Sequence, residues 1–541
     1  MANTLNLGNG NWGVKDSSLL GYKNRQNGRF LPETFDVARG SAGTRVNQSG
    51  LIESVTEILS ADLVINGDFT TDTDWTLSSG ITYNASKYLD FNLSSGQAKN
   101  TPNITFVQGK TYKVVYEIKN YVSGTIKFRF QNGTNTIGSA QSGDGVKTEF
   151  IICLDNSNNN FQFFGSSSFV GSIDNVSVVE VNRDNLARID YLDDAAGVLL
   201  TEPQSTNLQP SSNDLTQSRA YTDATIVSNA TTSPDGNINA DKVVEGSLLS
   251  SHGLRDNPNI AATIAEDFTL SFFAKAGERH LISVSNAAES NTEATFNLTN
   301  GTITEEGASI TAKMDDYGNG WYRCSISGNS NATISQMNIK IATVETGSVT
   351  YQGDGVSGLY VWGCQTESLG YPTSYIPTEG VAATRLADVV NNAGDVNNFN
   401  SEEGVLFAEI SALANDLTNR YITISNGGDS YIRLTYTTTS NQLGARYYVN
   451  GTFQTALSHV LSDETEFIKV GFKWKENDFA LWIDGVEVDT ETNGSVNPPN
   501  TFDRLEFQRY GGLLPFYGKT KNIQVFDEAL SDEELITLTT I

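Results

Sequence analysis

The chain has 541 residues, enough for about three to four domains of ordinary size, and its 63 acidic against 35 basic residues give a net charge of −28. Phosphate binding needs clustered cations, so this balance argues against nucleic acid and anionic membranes as partners. The 48 glycines and many asparagines suit a turn-rich, all-β chain. Cys153, Cys324 and Cys364 are too few and too scattered for a disulfide framework and read as buried thiols. The opening MANTLNLGNGNWGV has no basic stretch followed by an apolar core, so no secretory signal is expected. No run approaches the ~18 apolar residues of a membrane span. Asn-x-Ser/Thr triplets, as at Asn84, Asn92 and Asn103, are expected by chance in such a composition.

Residues 1–61 are rich in Gly and Asn and carry scattered apolar groups: Trp12, Leu19, Leu20, Tyr22, Phe30, Leu31 and Phe35. They read as an extended N-terminal adaptor whose apolar side chains need cover from another surface. Residues 62–182 read as a first antiparallel sandwich. In KTYKVVYEIKN, Tyr112, Val114, Tyr116 and Ile118 share one face, and in TIKFRFQNG so do Ile126, Phe128 and Phe130, before an Asn132-Gly133 turn. Residues 183–210, with Pro203 and Pro210, read as a linker.

Residues 211–378 read as a repeat of that plan, a second jelly roll, with FTLSFFAKAG in the place of KTYKVVYEIKN. The segment 356–388 closes it. Leu359 and Val361 alternate with Tyr360 and Trp362 as in a half-buried strand, and Gly370, Pro372 and Pro377 then mark a stiff extended connector. A linker, 379–400, leads to a third domain, 401–541. There IKVGFKWKEND places Ile468, Val470, Phe472 and Trp474 on one face. Asp484-Gly485 signals a type I′ hairpin that sets Ile483 against Val486 and Leu481 against Val488. Ser531 with Glu534 forms a capping box opening a short helix with Leu535 and Leu538 on its apolar side. The fold class expected is all-β: tandem antiparallel β-sandwiches, or jelly rolls, behind an extended N-terminal adaptor.

Three stretches carry a resemblance: YVWGCQTESLGYPTSYIPTEGVAATRLAD ending at Asp388, ARIDYLDDAAGVLLTEPQSTNL at 187–208, and DVARGSAGTRVNQSGLIE at 36–53. AGTRV at 42–46 is echoed by AATRL at 382–386. Together they resemble modules of tailed-bacteriophage virion proteins, in which a carbohydrate-binding-module-like jelly roll precedes a laminin-G or concanavalin A-like lectin domain. LWIDGVEV and FYGKTKNIQVFDEALSDEEL are similar to the laminin-G-like pattern. In many such domains an acidic residue follows the last strand's glycine. Here Gly518 is followed by Lys519, Lys521 and Asn522, a departure that weakens any transfer of a calcium site. The resemblance implies a fibre or decoration protein of the virion, docked on other virion proteins through the N-terminal region, homotrimeric, and adhering to cell-surface or environmental glycans. It also implies assembly in the host cytoplasm and release by lysis, without membrane insertion.

Catalytic chemistry finds little footing. The two GxGxxG matches, at Gly8, Gly10, Gly13 and at Gly353, Gly355, Gly358, lack the strand-before, helix-after context of a phosphate loop and read as turns. His252, His280 and His459 stand apart without zinc spacing, and no GxSxG elbow occurs. DNSNNN at 155–160 lacks the glycine and distal glutamate of an EF-hand and reads as a polar turn. The expectation is a non-enzymatic protein with no cofactor. The alternatives are a depolymerase, which would need paired carboxylates in a cleft, and a spacer without ligand. Sugar rings stack on aromatic faces, so the candidate ligand-binding residues are Trp75 and Tyr88 in the first sandwich and Tyr421, Tyr431, Tyr447 and Tyr510 in the third domain.

Overall fold

The structure, a computed structural model, describes residues 3–15, 18–25, 29–92, 96–345 and 349–541. It is all-β: antiparallel strands make up its sheets, and the described residues include one helix, Asp532–Thr539. No helix is long and apolar enough to cross a membrane among the described residues. The chain forms two compact units. One comprises Met1–Val55, Asp184–Val227 and Lys242–Ile541, and the other Thr56–Arg183 with Ser228–Asp241.

The smaller unit holds the first sandwich. Thr111–Ser123 runs between Gly145–Ile152 and Val170–Asn182, and Ile126–Gln131 lies beside Asn160–Gly165 in the facing sheet. Alternation decides the buried face. Tyr112, Val114, Tyr116 and Ile118 are at most 1% exposed, and Ile126, Phe128 and Phe130 are fully buried. Phe106 stacks on Phe130 with ring centroids 3.7 Å apart, and Phe161 and Phe163 extend the aromatic core. Asn132 and Gly133 take φ of 82° and 68°, the left-handed pair a tight turn needs.

The larger unit contains two sandwiches. In the first, Gly358–Glu367, Asp267–Lys275, Trp321–Asn329 and Ile310–Asp316 lie side by side, facing a sheet that includes Leu249–Asp256, Met337–Ala342 and Leu281–Asn286. Leu359 and Val361 point into this core, as the alternation predicts. The opposite face is covered too. Trp362 is 1% exposed because Phe273 and Tyr375 pack on it, with centroids at 5.4 and 4.5 Å. The proline-bearing connector therefore folds back on its own strand. Thr373, Tyr375, Ile376 and Thr378 are all buried, and a hydrogen bond joins the Tyr375 hydroxyl to Ser212 Oγ.

The second sandwich departs furthest from the expected parse. Its large sheet includes Gly518–Phe526, Glu403–Ala412, Ile468–Lys475 and Phe479–Ile483 in that order. Leu5–Gly8 adds to the free edge of Gly518–Phe526, with Leu5 opposite Val525 and Leu7 opposite Ile523. Ser18–Arg25 and Arg29–Ala38 continue the same sheet. The N-terminal stretch is thus part of the C-terminal domain's sheet rather than a separate adaptor. Leu19 and Phe35, expected to need a partner's surface, are fully buried in the shared core together with Leu5 and Leu7. The Trp12 indole donates to the Gly197 carbonyl at 2.8 Å. The side chains of Leu20, Tyr22, Phe30 and Leu31 lie outside the described residues.

The stretch read as the first linker is likewise core. Val198–Thr201 pairs with Gly518–Phe526, and Arg188, Ile189, Leu199 and Glu202 are buried. At the hairpin, Asp484 and Gly485 have φ of 48° and 83°, and Ile483 faces Val486 as the turn requires. A bulge beyond Trp482 then sets Leu481 against Asp489 instead of Val488. The helix opens on the expected capping box: Glu534 N donates to Ser531 Oγ, and Ser531 N to the Glu534 carboxylate.

Candidate functional site: a tyrosine–arginine sheet face

Five strands face the large sheet of the C-terminal domain: Arg420–Ser425, Tyr431–Tyr436, Gln442–Val449, Thr452–Val460 and Arg504–Glu506. Ile422, Ile424, Ile432, Leu434, Leu443 and Ala445 fill the core between the sheets. Strand pleat sends their neighbours to the other side. There the register sets Tyr431 opposite Tyr448 and Arg433 opposite Arg446. The Tyr431 and Tyr448 rings stack at 4.4 Å, and Tyr510, carried in by the loop after Arg504–Glu506, lies 5.6 Å from Tyr431. The Arg433 guanidinium sits 4.4 Å over the Tyr421 ring and 5.9 and 5.7 Å from those of Tyr431 and Tyr448. Phe453, 49% exposed, borders Tyr448 as an apolar rim.

The charge arrangement of this face is unusual for so acidic a chain. Among the described residues no carboxylate lies within ion-pair distance of Arg433 or Arg446, and Arg433 Nε is buried without a hydrogen-bond partner. Arg446 donates to the Ala445 and Leu457 carbonyls. Its pKa is lowered by burial first and by the neighbouring Arg433 charge second. The carboxylate on the same face, Glu506, is engaged by Ser425 Oγ at 3.3 Å, and burial raises its pKa. Tyr431 is pushed up to about 12, mainly by burial and then by Tyr448, so its hydroxyl is no activated base.

The residues singled out from sequence divide cleanly. Tyr421, Tyr431 and Tyr510 converge on this face. Tyr421 and Tyr431 are each 5% exposed and serve as its floor, whereas Tyr510 is half-buried. Tyr447 has the opposite parity and is fully buried. Its hydroxyl donates to the Ser401 carbonyl at 2.6 Å and accepts from Asn497 N at 2.9 Å, a structural role that removes it from the candidate surface. Trp75 is also core: it stacks on Phe163, packs on Phe69 and Phe161, and donates from Nε1 to the Asn66 carbonyl. Tyr88 stands alone in the first sandwich, lining a shallow open depression with Glu117, Lys119 and Asp144. Arg433, Arg446 and Tyr448 were missed. The signal was present in Tyr-x-Arg of YIRLTY and Arg-x-Tyr of ARYYV, which alternation puts on one face.

A second cluster is wholly internal. The three stretches that carry the sequence resemblance meet there. Asp388 accepts from Arg39 at 2.7 Å and from Arg188; Glu202 pairs with Arg188 and, at 2.7 Å, with Arg385. Ser374 N and Oγ donate to the Glu202 carboxylate at 2.7 Å, and Arg39 also donates to the Leu186 carbonyl. Burial by itself would push both acids up, but the arginines outweigh it and hold Glu202 and Asp388 below the usual carboxylate range. With side chains at most 4% exposed, these groups have no access to a ligand and act as a clamp.

Comparisons with known proteins leave the chain without a family. No protein-family model matches it, and no curated protein matches it. Among solved structures, a Trypanosoma rangeli sialidase in complex with sialic acid aligns over 98% of this chain and 97% of its own, at 10% identity and a TM-score of 0.22. An anti-sigma factor domain-containing protein aligns over 64% of this chain and 99% of its own, at 12% identity and a TM-score of 0.14. Scores this low carry no argument about either fold or activity.

Among the described residues no group of three or more His, Cys, Asp and Glu is placed to hold a metal ion. Asp155 instead caps its own loop, accepting from Ser157 N at 2.7 Å and Thr134 N at 2.9 Å. Where the laminin-G-like pattern has an acidic residue, Lys519 and Lys521 pair with Asp193 and Asp194 of the turn that precedes Val198–Thr201.

Proposed function

We propose that this chain is a structural protein of a tailed-bacteriophage virion, of fibre or decoration type, that presents lectin-like β-sandwiches to host-surface or environmental glycans without catalysis. The observation that carries the glycan reading is the tyrosine–arginine face. It offers aromatic rings for stacking beside guanidinium donors for hydroxyls, on rigid strands rather than on loops. Support for the virion reading comes from the three resembling stretches, each of which contributes to one internal clamp through Arg39, Arg188, Glu202, Arg385 and Asp388. They have the character of a scaffold signature, not of a ligand site. Attachment to other virion proteins and a homotrimeric arrangement belong to the same reading. Avidity then compensates for weak single sites.

Two measurements test it. Immunogold labelling of purified particles with antibody against the chain should decorate the particle surface. A glycan array probed with the full chain should give sugar-dependent signal that falls when Tyr448 is replaced by Ala. Unlabelled particles would remove the virion half. Release of new reducing ends from a bound polysaccharide would replace adhesion with depolymerisation.

A further inference from the structure

Resting on the glycan-binding reading above, we infer that the Arg433–Arg446 pair is an anion subsite and that the ligand is an acidic sugar, carrying a carboxylate or a sulfate. Like charges directly opposite each other on a sheet are destabilising, and here the register enforces that juxtaposition. In a chain of net charge −28 a carboxylate could readily have been supplied, yet neither arginine has one within ion-pair distance among the described residues. Arg433 is held in place by rings rather than by acceptors: Tyr421 beneath it, Tyr431 and Tyr448 beside it. Cation–π contact fixes the guanidinium plane without using up its N–H donors, which is the state in which a planar fork receives a carboxylate or sulfate. Arg446 is half-buried and already gives one nitrogen to two carbonyls, so it supplies charge more than free donors.

The neighbours define the rest of the ligand. Half-buried Tyr448 and Tyr510 and exposed Phe453 offer apolar surface on which a pyranose ring can lie while its acidic substituent reaches Arg433. Polyanions as densely charged as nucleic acid are disfavoured by the acidic remainder of the chain. The site therefore suits a sugar whose charges are spaced along a ring-built polymer.

Isothermal titration calorimetry on the full chain decides the matter, with three probes of similar length: oligogalacturonate, a carrageenan-derived sulfated oligosaccharide, and maltopentaose. At least one acidic probe should bind about tenfold or more tightly than maltopentaose, and Arg433→Gln should abolish that margin while the melting temperature stays unchanged. Which acidic probe binds tells carboxylate from sulfate. Arg433→Lys, which keeps the charge and loses the fork, should fall between, and Arg446→Gln serves if Arg433→Gln fails to fold. Equal binding of maltopentaose would overturn the anion subsite and leave the lectin reading standing. No binding of any probe would remove both. Acidic-probe binding that survives Arg433→Gln and Arg446→Gln would place the site elsewhere and overturn the inference.

Discussion

Asp388 lies between Arg39 and Arg188, and Glu202 between Arg188 and Arg385, so removing either acid strands a buried guanidinium. Breaking a buried pair from one side costs about 3–5 kcal/mol, and Asp388→Asn or Glu202→Gln should lower stability in denaturant titrations by that order. Both acids have folded pKa values below their unfolded ones. Their stabilisation is complete above about pH 4.5 and is lost as pH falls towards the folded values, so the variants should flatten the acid limb of a stability profile. Glu464 behaves in the opposite sense. It is 1% exposed, and burial, opposed by Arg420, raises its pKa to about 7. Between pH 4.5 and 7 the folded chain keeps a proton that the unfolded chain releases, so stability falls as pH rises through that window. Glu464→Gln should remove this slope; melting curves with unchanged pH dependence would contradict the assignment. Neither effect was legible in the sequence, because Arg39, Arg188 and Arg385 stand far apart along the chain and only the fold brings them together.

At the scale of elements, alternation told which residues share a face but not what covers that face. It worked where one face is core: Tyr112 to Ile118, Ile468 to Trp474, and the Ser531 capping box all lie as the pattern predicts. It failed at Trp362, whose solvent-side parity is overruled by Tyr375 folding back from the connector. Tyr447 obeys it: it shares the core parity of Leu443 and Ala445, and its hydroxyl finds two buried partners. Prolines at 372 and 377 fixed the connector's backbone as extended but said nothing of its burial. The connector and residues 187–210 should therefore resist limited proteolysis along with the strands they touch; early cleavage at either would count against their packing. The Asp484-Gly485 hairpin allows a sharper test. A Cβ at Gly485 would lie 2.9 Å from Thr540 Oγ1, and its φ of 83° already disfavours side chains. Gly485→Val should cost more than about 1 kcal/mol in the C-terminal domain, read as a lower melting temperature.

Across the molecule, the N-terminal strands and the C-terminal domain share one core. A chain starting at Asp62 would lose Leu5, Leu7, Leu19, Phe35 and Val37 from that core and would leave Asp388 without Arg39. At roughly 1.5–3 kcal/mol per buried aliphatic or aromatic side chain, as an upper bound, the larger unit should be severely destabilised. Calorimetry should then show the transition of that unit lowered or absent; an unchanged transition would mean the N-terminal strands add nothing to the sheet.

Asn3 hydrogen-bonds to Gln524 across 521 residues of sequence, and Leu5–Gly8 pairs with Gly518–Phe526. Leu5–Gly8 thus leaves the ribosome long before the strand it pairs with. At translation rates of roughly 5–20 residues per second the wait is about 25 to 105 seconds. During it an edge-forming, apolar segment has Ser18–Arg25 on one side but lacks its neighbour on the other, and a nascent chain in that condition is exposed to pairing with another copy or to capture by a chaperone. The thirteen-residue strand Thr111–Ser123 and its partners can assemble early, whereas the C-terminal sandwich cannot close until the synthesis of Gly518–Phe526 is finished. Yield on expression should therefore depend on conditions in the cell during that interval more than on the stability of the finished fold.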